Sequence, residues 1–266
     1  MKTALVLSAG GMYGAYQAGA WSTLSEVFHP DLVVGASIGA VNGWAIAGGC
    51  RPRQLIERWL ALDQAQRYRW QTPKHWTGGV LDSEPLQQII QEVHASFLPT
   101  VEFAMIATDL LRLRPRIFTA AEITGQHLAA STAVAGIFEQ VRIDGRIYSD
   151  GGLLSALPLW AAAELGAEKI LAINVLPEAP GLVARAFVRA LKAMSSFRPV
   201  VPDSVEVLTV MPERLLGSPS ECIYWKRKNA EQWIRQGAED AAAVLERLRE
   251  WDNARDISVK NCFDRQ

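Results

Sequence analysis

Hydrophobic residues fall in short unbroken runs that alternate with longer stretches of helical spacing. Ala4-Leu5-Val6-Leu7, Leu32 to Val34, Val101 to Ala107, Lys169 to Val175 and Val205 to Val210 have the length and continuity of strands buried on both faces. Between them, Ala15 to Val27, the residues from Ile38 onward, Arg53 to Leu62 behind Pro52, about Pro85 to Ala95, and Leu157 to Leu165 read as helices, with Asp82 or Ser83 capping the fourth. Ala120 to Phe138 reads as helical in two pieces, and Cys222 to about Trp251 as one closing helix. Val141 to Tyr148 is a hairpin pattern with Asp144-Gly145 as its two-residue turn. Strands alternating with helices predict an α/β fold with a mainly parallel sheet covered on both faces. No repeat, low-complexity tract or linker divides the chain, so residues 1–266 are read as a single domain.

Composition narrows the picture. The net charge of −1 supplies no bulk attraction to nucleic acid or anionic membrane, so nucleic acid is not an expected partner and any such affinity must be local. Cys50, Cys222 and Cys262 are too few and too scattered for a disulfide framework or a CxxC metal site, which makes a reducing cytoplasm the expected setting. The opening MKTALVLSAGG imitates a signal peptide, but its apolar run is too short before Gly10-Gly11. Val33 to Cys50 carries Ser37, Asn42 and several glycines, and reads as a buried strand–helix unit instead of a membrane span. Residues 66–79 mix arginine and tryptophan without period; they read as a surface loop whose tryptophans plug the core, or as a contact for lipid headgroups or nucleic acid.

The candidate chemistry lies in three places. Ser8 to Gly14 forms a Gly-rich loop between a strand and a helix, where backbone N–H groups and the helix dipole favour an anion. Two uses stand: a dinucleotide site, because Ala9-x-Gly11-x-x-Gly14 nearly matches that fingerprint, or an oxyanion hole. Asp31, the acidic partner a dinucleotide site would need, precedes its strand and so sits at the wrong end. Gly35-Ala36-Ser37-Ile38-Gly39 is a G-x-S-x-G pattern in which glycine at 35 and 39 leaves room for a sharp strand-to-helix turn at Ser37. Asp150-Gly151-Gly152 follows the hairpin, holding a carboxylate close to backbone on a rigid element.

A reactive serine needs a base. The histidines are His29, His75, His94 and His127, and none follows Asp150, which excludes the order Ser–acid–His common in α/β hydrolases. A Ser37–Asp150 dyad is the economical alternative, with Asp109 at a strand end as a reserve carboxylate. Such an aspartate must have its pKa raised, as partial burial would do, or act mainly by holding the proton's path. Residues 182–200 carry Arg185, Arg189, Lys192 and Arg198 and no acid, with Val183, Phe187, Leu191 and Met194 on one helical face. That pattern is first that of an ordinary sheet-covering helix, with a transient membrane-surface contact or a lid as the alternative.

The three motifs in this order resemble the patatin-like phospholipase family over nearly the whole chain: LVLSAGGMYGAYQAG, VVGASIGAVNG and AGIFEQVRIDGRIYSDGGLLSALPL. The resemblance implies a three-layer α/β/α sandwich with a mainly parallel central sheet, and hydrolysis of lipid acyl esters without metal or other cofactor. It implies Ser37 as nucleophile and Asp150 as base, with oxyanion N–H groups from Gly10, Gly11 and Ile38 and motif support from Gly14, Gly35, Gly39, Gly151 and Gly152. It also implies a lipid or acyl-ester substrate; the cysteine content sets the expected location as cytoplasmic, peripheral to a membrane if residues 182–200 touch one. Departures occur at Ala9, Tyr13, Ile38 and Ser155-Ala156. Tyr13 replaces a common basic residue and leaves a neutral ester or lysolipid open beside a phospholipid, while Ile38 is expected to narrow the acyl pocket. The competing readings are a dinucleotide-binding oxidoreductase and a non-catalytic lipid-binding member of the family.

Overall fold

The structure is a computed structural model and describes residues 1–64, 69–176 and 182–251. Its centre is an eight-stranded sheet: β1 (Thr3–Leu7), β2 (Leu32–Ala36), β3 (Glu102–Asp109), β4 (Arg114–Thr119), β5 (Val141–Ile143), β6 (Arg146–Ser149), β7 (Lys169–Ile173) and β8 (Glu206–Val210). The order is β5-β6-β3-β2-β1-β7-β8, with β4 paired to β3. From β3 to β8 every neighbouring pair is parallel, while β4, β5 and β6 form an antiparallel margin. The helices are α1 (Gly14–Leu24), α2 (Ile38–Ala47), α3 (Pro52–Leu60), α4 (Glu84–Ser96), α5 (Gly125–Thr132), α6 (Leu159–Glu164), α7 (Leu182–Met194), α8 (Pro219–Ile223) and α9 (Arg227–Ala242).

Alternation along the buried strands sorts their side chains into two cores. Leu5, Leu7, Val33 and Met105 face α1, α2 and their aromatic residues. Ala4, Val6, Val34 and Ile106 face Trp160, Ala161 and Ala162 of α6. The result is the expected α/β/α sandwich, with the larger core on the α1–α2 side. On that side α1 and α9 cross closely: Trp233 is buried, its Nε1 donates to the Leu216 carbonyl at 3.0 Å, and its ring meets Tyr13 edge-on at 5.0 Å.

β3 sets the position of the chain's functional end. β2 pairs with β3 only as far as Ala36, opposite Ile106. β6 then takes up the same strand from Thr108, opposite Ser149. Two chain segments therefore run toward each other along β3, and the next residues are Ser37 and Asp150. The hairpin that delivers β6 has positive φ at both turn residues, Asp144 (47°) and Gly145 (76°), as a type I′ turn requires.

Several expectations are corrected. Residues 222–251 are not one helix: α8 ends at Ile223, α9 spans Arg227–Ala242, and helix resumes at 245 after a turn. Ala120 to Phe138 holds one helix, α5, followed by turns. Trp70 and Trp76 do not plug the core but stand 74% and 73% exposed; residues 65–68 of the neighbouring stretch lie outside the described residues, as does Cys262. α7 is no ordinary sheet-covering helix, since Phe187 and Met194 of its apolar stripe are 51% and 71% exposed. β4 is an unanticipated strand. Its Pro115 argues against a central strand, and β4 bonds only to β3, where proline is tolerated.

Removing the Trp233 side chain should loosen α9 from α1. Trp233→Ala is expected to lower unfolding free energy by about 3–5 kcal/mol in urea denaturation; a loss below about 1 kcal/mol would show that this contact does not anchor α9.

Candidate active site

Ser37 is the one residue between β2 and α2, and its backbone is strained, with φ 54° and ψ −128°. Non-glycine residues rarely adopt such values, and they persist only where packing imposes them. The imposing contacts are backbone against backbone. A Cβ at Gly35 would run into the Gly39 carbonyl, and one at Gly39 would run into the carbonyls of Leu7 and Ser8. The first turn of α2 is thus pressed onto its own strand and onto the end of β1. Ser131 of α5 completes the hold: its Oγ accepts from the Ser37 N–H at 2.9 Å and donates to the Ile106 carbonyl at 2.7 Å.

Asp150 is fixed as firmly. Its N–H donates to the Ala133 carbonyl at 2.9 Å, and its own carbonyl accepts from Thr108 Oγ1 at 2.9 Å. Oδ1 accepts the Gly152 N–H at 2.7 Å, while Gly151 packs against the Ile106 carbonyl. Oδ2 is buried and has no hydrogen-bond partner. Burial raises the carboxyl pKa to about 6; the Ser37 hydroxyl and the Gly152 N–H act in the opposite direction. The hydroxyl is therefore near enough to favour the carboxylate. A serine oxygen beside a carboxylate whose second oxygen is free is an arrangement able to pass a proton, and such bonds commonly tighten only when substrate is present.

The Gly-rich loop lies across the ends of β1 and β7. Ser8 N–H donates to Ile173, Ala9 N–H to Ala156, and the Ser8 hydroxyl accepts the Val175 N–H. Gly10 and Gly11 follow, with Gly11 at φ 53°. The Gly10 carbonyl accepts from Tyr13 N–H and from Cys222 Sγ, and the backbone of Cys222 on α8 leaves no room for a side chain at Gly11. Burial pushes the Cys222 thiol up to about 12, with the Asp150 charge adding to it, so it stays protonated as a donor. Gly14 opens α1 against Ile38 and Trp59. A buried polar chain ties these parts together. Gln17 Nε2 donates to the Ser8 carbonyl, Asn42 Nδ2 to Gln17 Oε1 and the Gly14 carbonyl, and Trp59 Nε1 to Asn42 Oδ1.

The residues that depart from the family pattern have structural partners. The Tyr13 hydroxyl donates to the Ser218 carbonyl, so this side chain ties the loop to the start of α8. Ser155 accepts from Trp160 Nε1, and Ala156 supplies the carbonyl that holds Ala9.

Other candidates lie elsewhere. Asp109 is a turn carboxylate, its Oδ1 accepting from the Leu111 and Arg112 N–H groups. Asp31 is held by Thr3 at the N-terminal ends of β1 and β2, opposite the loop a dinucleotide would occupy. His127 is third in α5, where it forms a capping box with Thr124. His94 stacks on Trp44, His75 contacts Thr77 and Glu139, and His29 is exposed. Among the described residues no cluster of three or more His, Cys, Asp or Glu is placed to hold a metal. Ser131, Thr108, Gln17 and Asn42 were not read as site residues from the chain alone, because their partners are distant in sequence and no local pattern marks them.

The family model for patatin-like phospholipase matches residues 5–163, which include both Ser37 and Asp150. An uncharacterized NTE family protein of Mycobacterium tuberculosis is 28% identical over 179 residues, covering 65% of this chain and 49% of that protein. The human patatin-like phospholipase domain-containing protein 6 is 26% identical over 185 residues, covering 65% of this chain and 13% of that protein. The chain thus spans about half of the first relative and a small part of the second. The crystal structure of VipD from Legionella pneumophila has the same fold at a TM-score of 0.50 and 12% identity, covering 92% of this chain and 67% of that one. Since the family match takes in more than half of its residues, the chain belongs to the patatin-like phospholipase family.

Proposed function

We propose that the protein is a serine acyl hydrolase acting on fatty-acyl esters of lipids through a Ser37–Asp150 dyad. The observation that carries this reading is a strained serine between strand and helix beside a buried carboxylate with an unpartnered oxygen. Asp150 takes the hydroxyl proton as Ser37 Oγ attacks the ester carbonyl. The tetrahedral oxyanion is held by N–H groups of Gly10 and Gly11, with Ile38 N–H just after the nucleophile; one such donor is worth roughly 3–4 kcal/mol in other acyl-transfer enzymes. The C–O bond then breaks, the alcohol leaves with the proton from Asp150, and water hydrolyses the acyl-enzyme by the same route. Membership of the patatin-like phospholipase family supports a lipid substrate.

An apolar slot of about 60 Å³, with room for a short acyl segment, adjoins Ile38. Met12 and Ile38, which flank the Gly loop and the serine, form one end of it, and Val41, Ala45, Leu55 and Leu86 continue it between α2, α3 and α4. Burying a methylene there contributes about 0.8 kcal/mol. Ile38 is one of the residues that line this slot.

Ser37→Ala should abolish fluorophosphonate labelling and reduce ester turnover by a factor on the order of 10^4. Equal labelling and turnover by the variant would remove Ser37 from the mechanism. Lipid binding without turnover by the parent, across a broad ester panel, would favour a non-catalytic member.

Because the base must be ionised, kcat/KM should rise with pH through about 6 and level off above it. A limb near 4 would mean that Asp150 is not the base, or is not desolvated.

The same shift has a stability consequence. The folded-state pKa of about 6 lies above the model-compound value of 3.8, so the protonated folded state is favoured and stability falls as pH rises from about 4 to 6. Asp150→Asn removes that loss. Its stability relative to the parent should therefore increase by about 3 kcal/mol between pH 4 and 6 and stay constant above, read by urea denaturation at each pH. A pH-independent difference would contradict the assigned burial.

A further inference from the structure

A cavity of about 680 Å³ opens at the antiparallel margin of the sheet, away from Ser37 and Asp150. The residues that line it include Arg112, Arg114, Arg116, Arg146 and Arg198, against two carboxylates, Asp109 and Glu164, and the Arg116 guanidinium itself turns away to stack over Phe118 on the other face of the sheet. Asp109 is occupied: Oδ1 serves the turn N–H groups, and Oδ2 lies 3.6 Å from Arg146. Arg116 is paired with Glu122 and donates to the Tyr148 hydroxyl. Arg198 reaches only the backbone carbonyls of Ser195 and Phe197. Arg112 and Arg114 are exposed and have no ion pair among the described residues. In a chain of net charge −1 this is a local concentration of cations, and the guanidinium fork suits phosphate oxygens.

The rim explains which phosphate. Val200 lines the cleft, and Leu111 and Met194, next in the chain to Arg112 and Ser195, are exposed as it is. They are held as one surface because Ser195 Oγ donates to the Leu113 carbonyl, pinning the end of α7 to the turn that bears Arg112 and Arg114. Residues 182–202, which lead through α7 to the cleft, contain no acidic side chain. A free anion needs no apolar rim, whereas a bilayer surface offers anionic headgroups beside acyl chains. We propose that this cleft binds the phosphate headgroup of an anionic lipid at a membrane surface, with Leu111, Met194 and Val200 entering the interface. Asp109 at the cleft adjoins Thr108, whose hydroxyl holds Asp150, so a lipid seated there would bring the active-site end of β3 to the bilayer.

The test is co-sedimentation of Ser37→Ala protein, which consumes no lipid, with phosphatidylcholine vesicles with and without phosphatidylglycerol. Binding should require phosphatidylglycerol and weaken with added salt. In the same background Arg112→Gln/Arg114→Gln should lower vesicle partitioning roughly thirty-fold, from about a factor of five per basic residue near an anionic surface. An unchanged unfolding temperature would show that this variant is folded. Arg247→Gln/Arg249→Gln, exposed on another part of the surface, should bind as the parent does. Absence of a phosphatidylglycerol preference, or an equal loss in both double variants, would overturn the proposal. So would release of bound protein by soluble glycerol phosphate at matched phosphate concentration, which would assign the cleft to free phosphate. A chain that binds vesicles but whose parent form cleaves no ester would sink the hydrolytic reading and leave this one intact.

Discussion

The pairing of β3 with two successive partners is the constraint on which the candidate site rests. β2 occupies one side of β3 up to Ile106, and β6 occupies the same side from Thr108. The gap between them is a single position, too short for either strand to continue. Each chain must leave the sheet there, β2 into α2 and β6 into the turn at residues 151–153. The residues at those exits are Ser37 and Asp150. Their proximity is therefore a property of sheet register, and it brings together positions more than a hundred residues apart without a flexible element.

Holding them carries a cost that the surrounding packing meets. Ser37 has a backbone conformation worth of order 1–3 kcal/mol of strain, and Asp150 is a carboxyl removed from water. The compensation is a closed set of hydrogen bonds from neighbouring elements: Ser131 to the Ser37 N–H, Thr108 to the Asp150 carbonyl, Ala133 to the Asp150 N–H, and Gly152 to one carboxylate oxygen. The other oxygen is left over. It lies beside the Ser37 hydroxyl, which favours the ionised carboxylate against the effect of burial.

The centre of the sheet and its antiparallel margin have different characters. Around β1, β2 and β7 the loop, α1, α2 and α8 are tied by buried side-chain bonds such as Gln17–Asn42–Trp59 and Tyr13–Ser218. At the β4–β6 margin arginines line an open cleft and apolar side chains remain exposed. The centre holds atoms still, and the margin presents charge and apolar surface together. Neither feature is visible in a net charge of −1, because charges of both signs cancel in the sum but not in space.

What the chain determined by itself was local. Continuous apolar runs marked the strands of the parallel sheet, since a strand buried on both faces needs them. Glycines at 35 and 39 marked the turn at Ser37 because only backbone fits where α2 meets β1. Asp144-Gly145 marked the hairpin because both residues need positive φ. The absence of any histidine after Asp150 narrowed the chemistry, since order along the chain is a fact of sequence. Tertiary structure decided whatever depends on meetings at long range. Ser131 has no local signature; it matters because α5 carries it to Ser37, 94 residues away. β4 was obscured by Pro115, which only its place beside β3 alone makes acceptable. The apolar stripe of α7 looked like a core face, and the fold leaves Phe187 and Met194 in solvent. The raised pKa of Asp150 belongs to the same class, because burial is created by elements that no stretch of neighbouring residues contains.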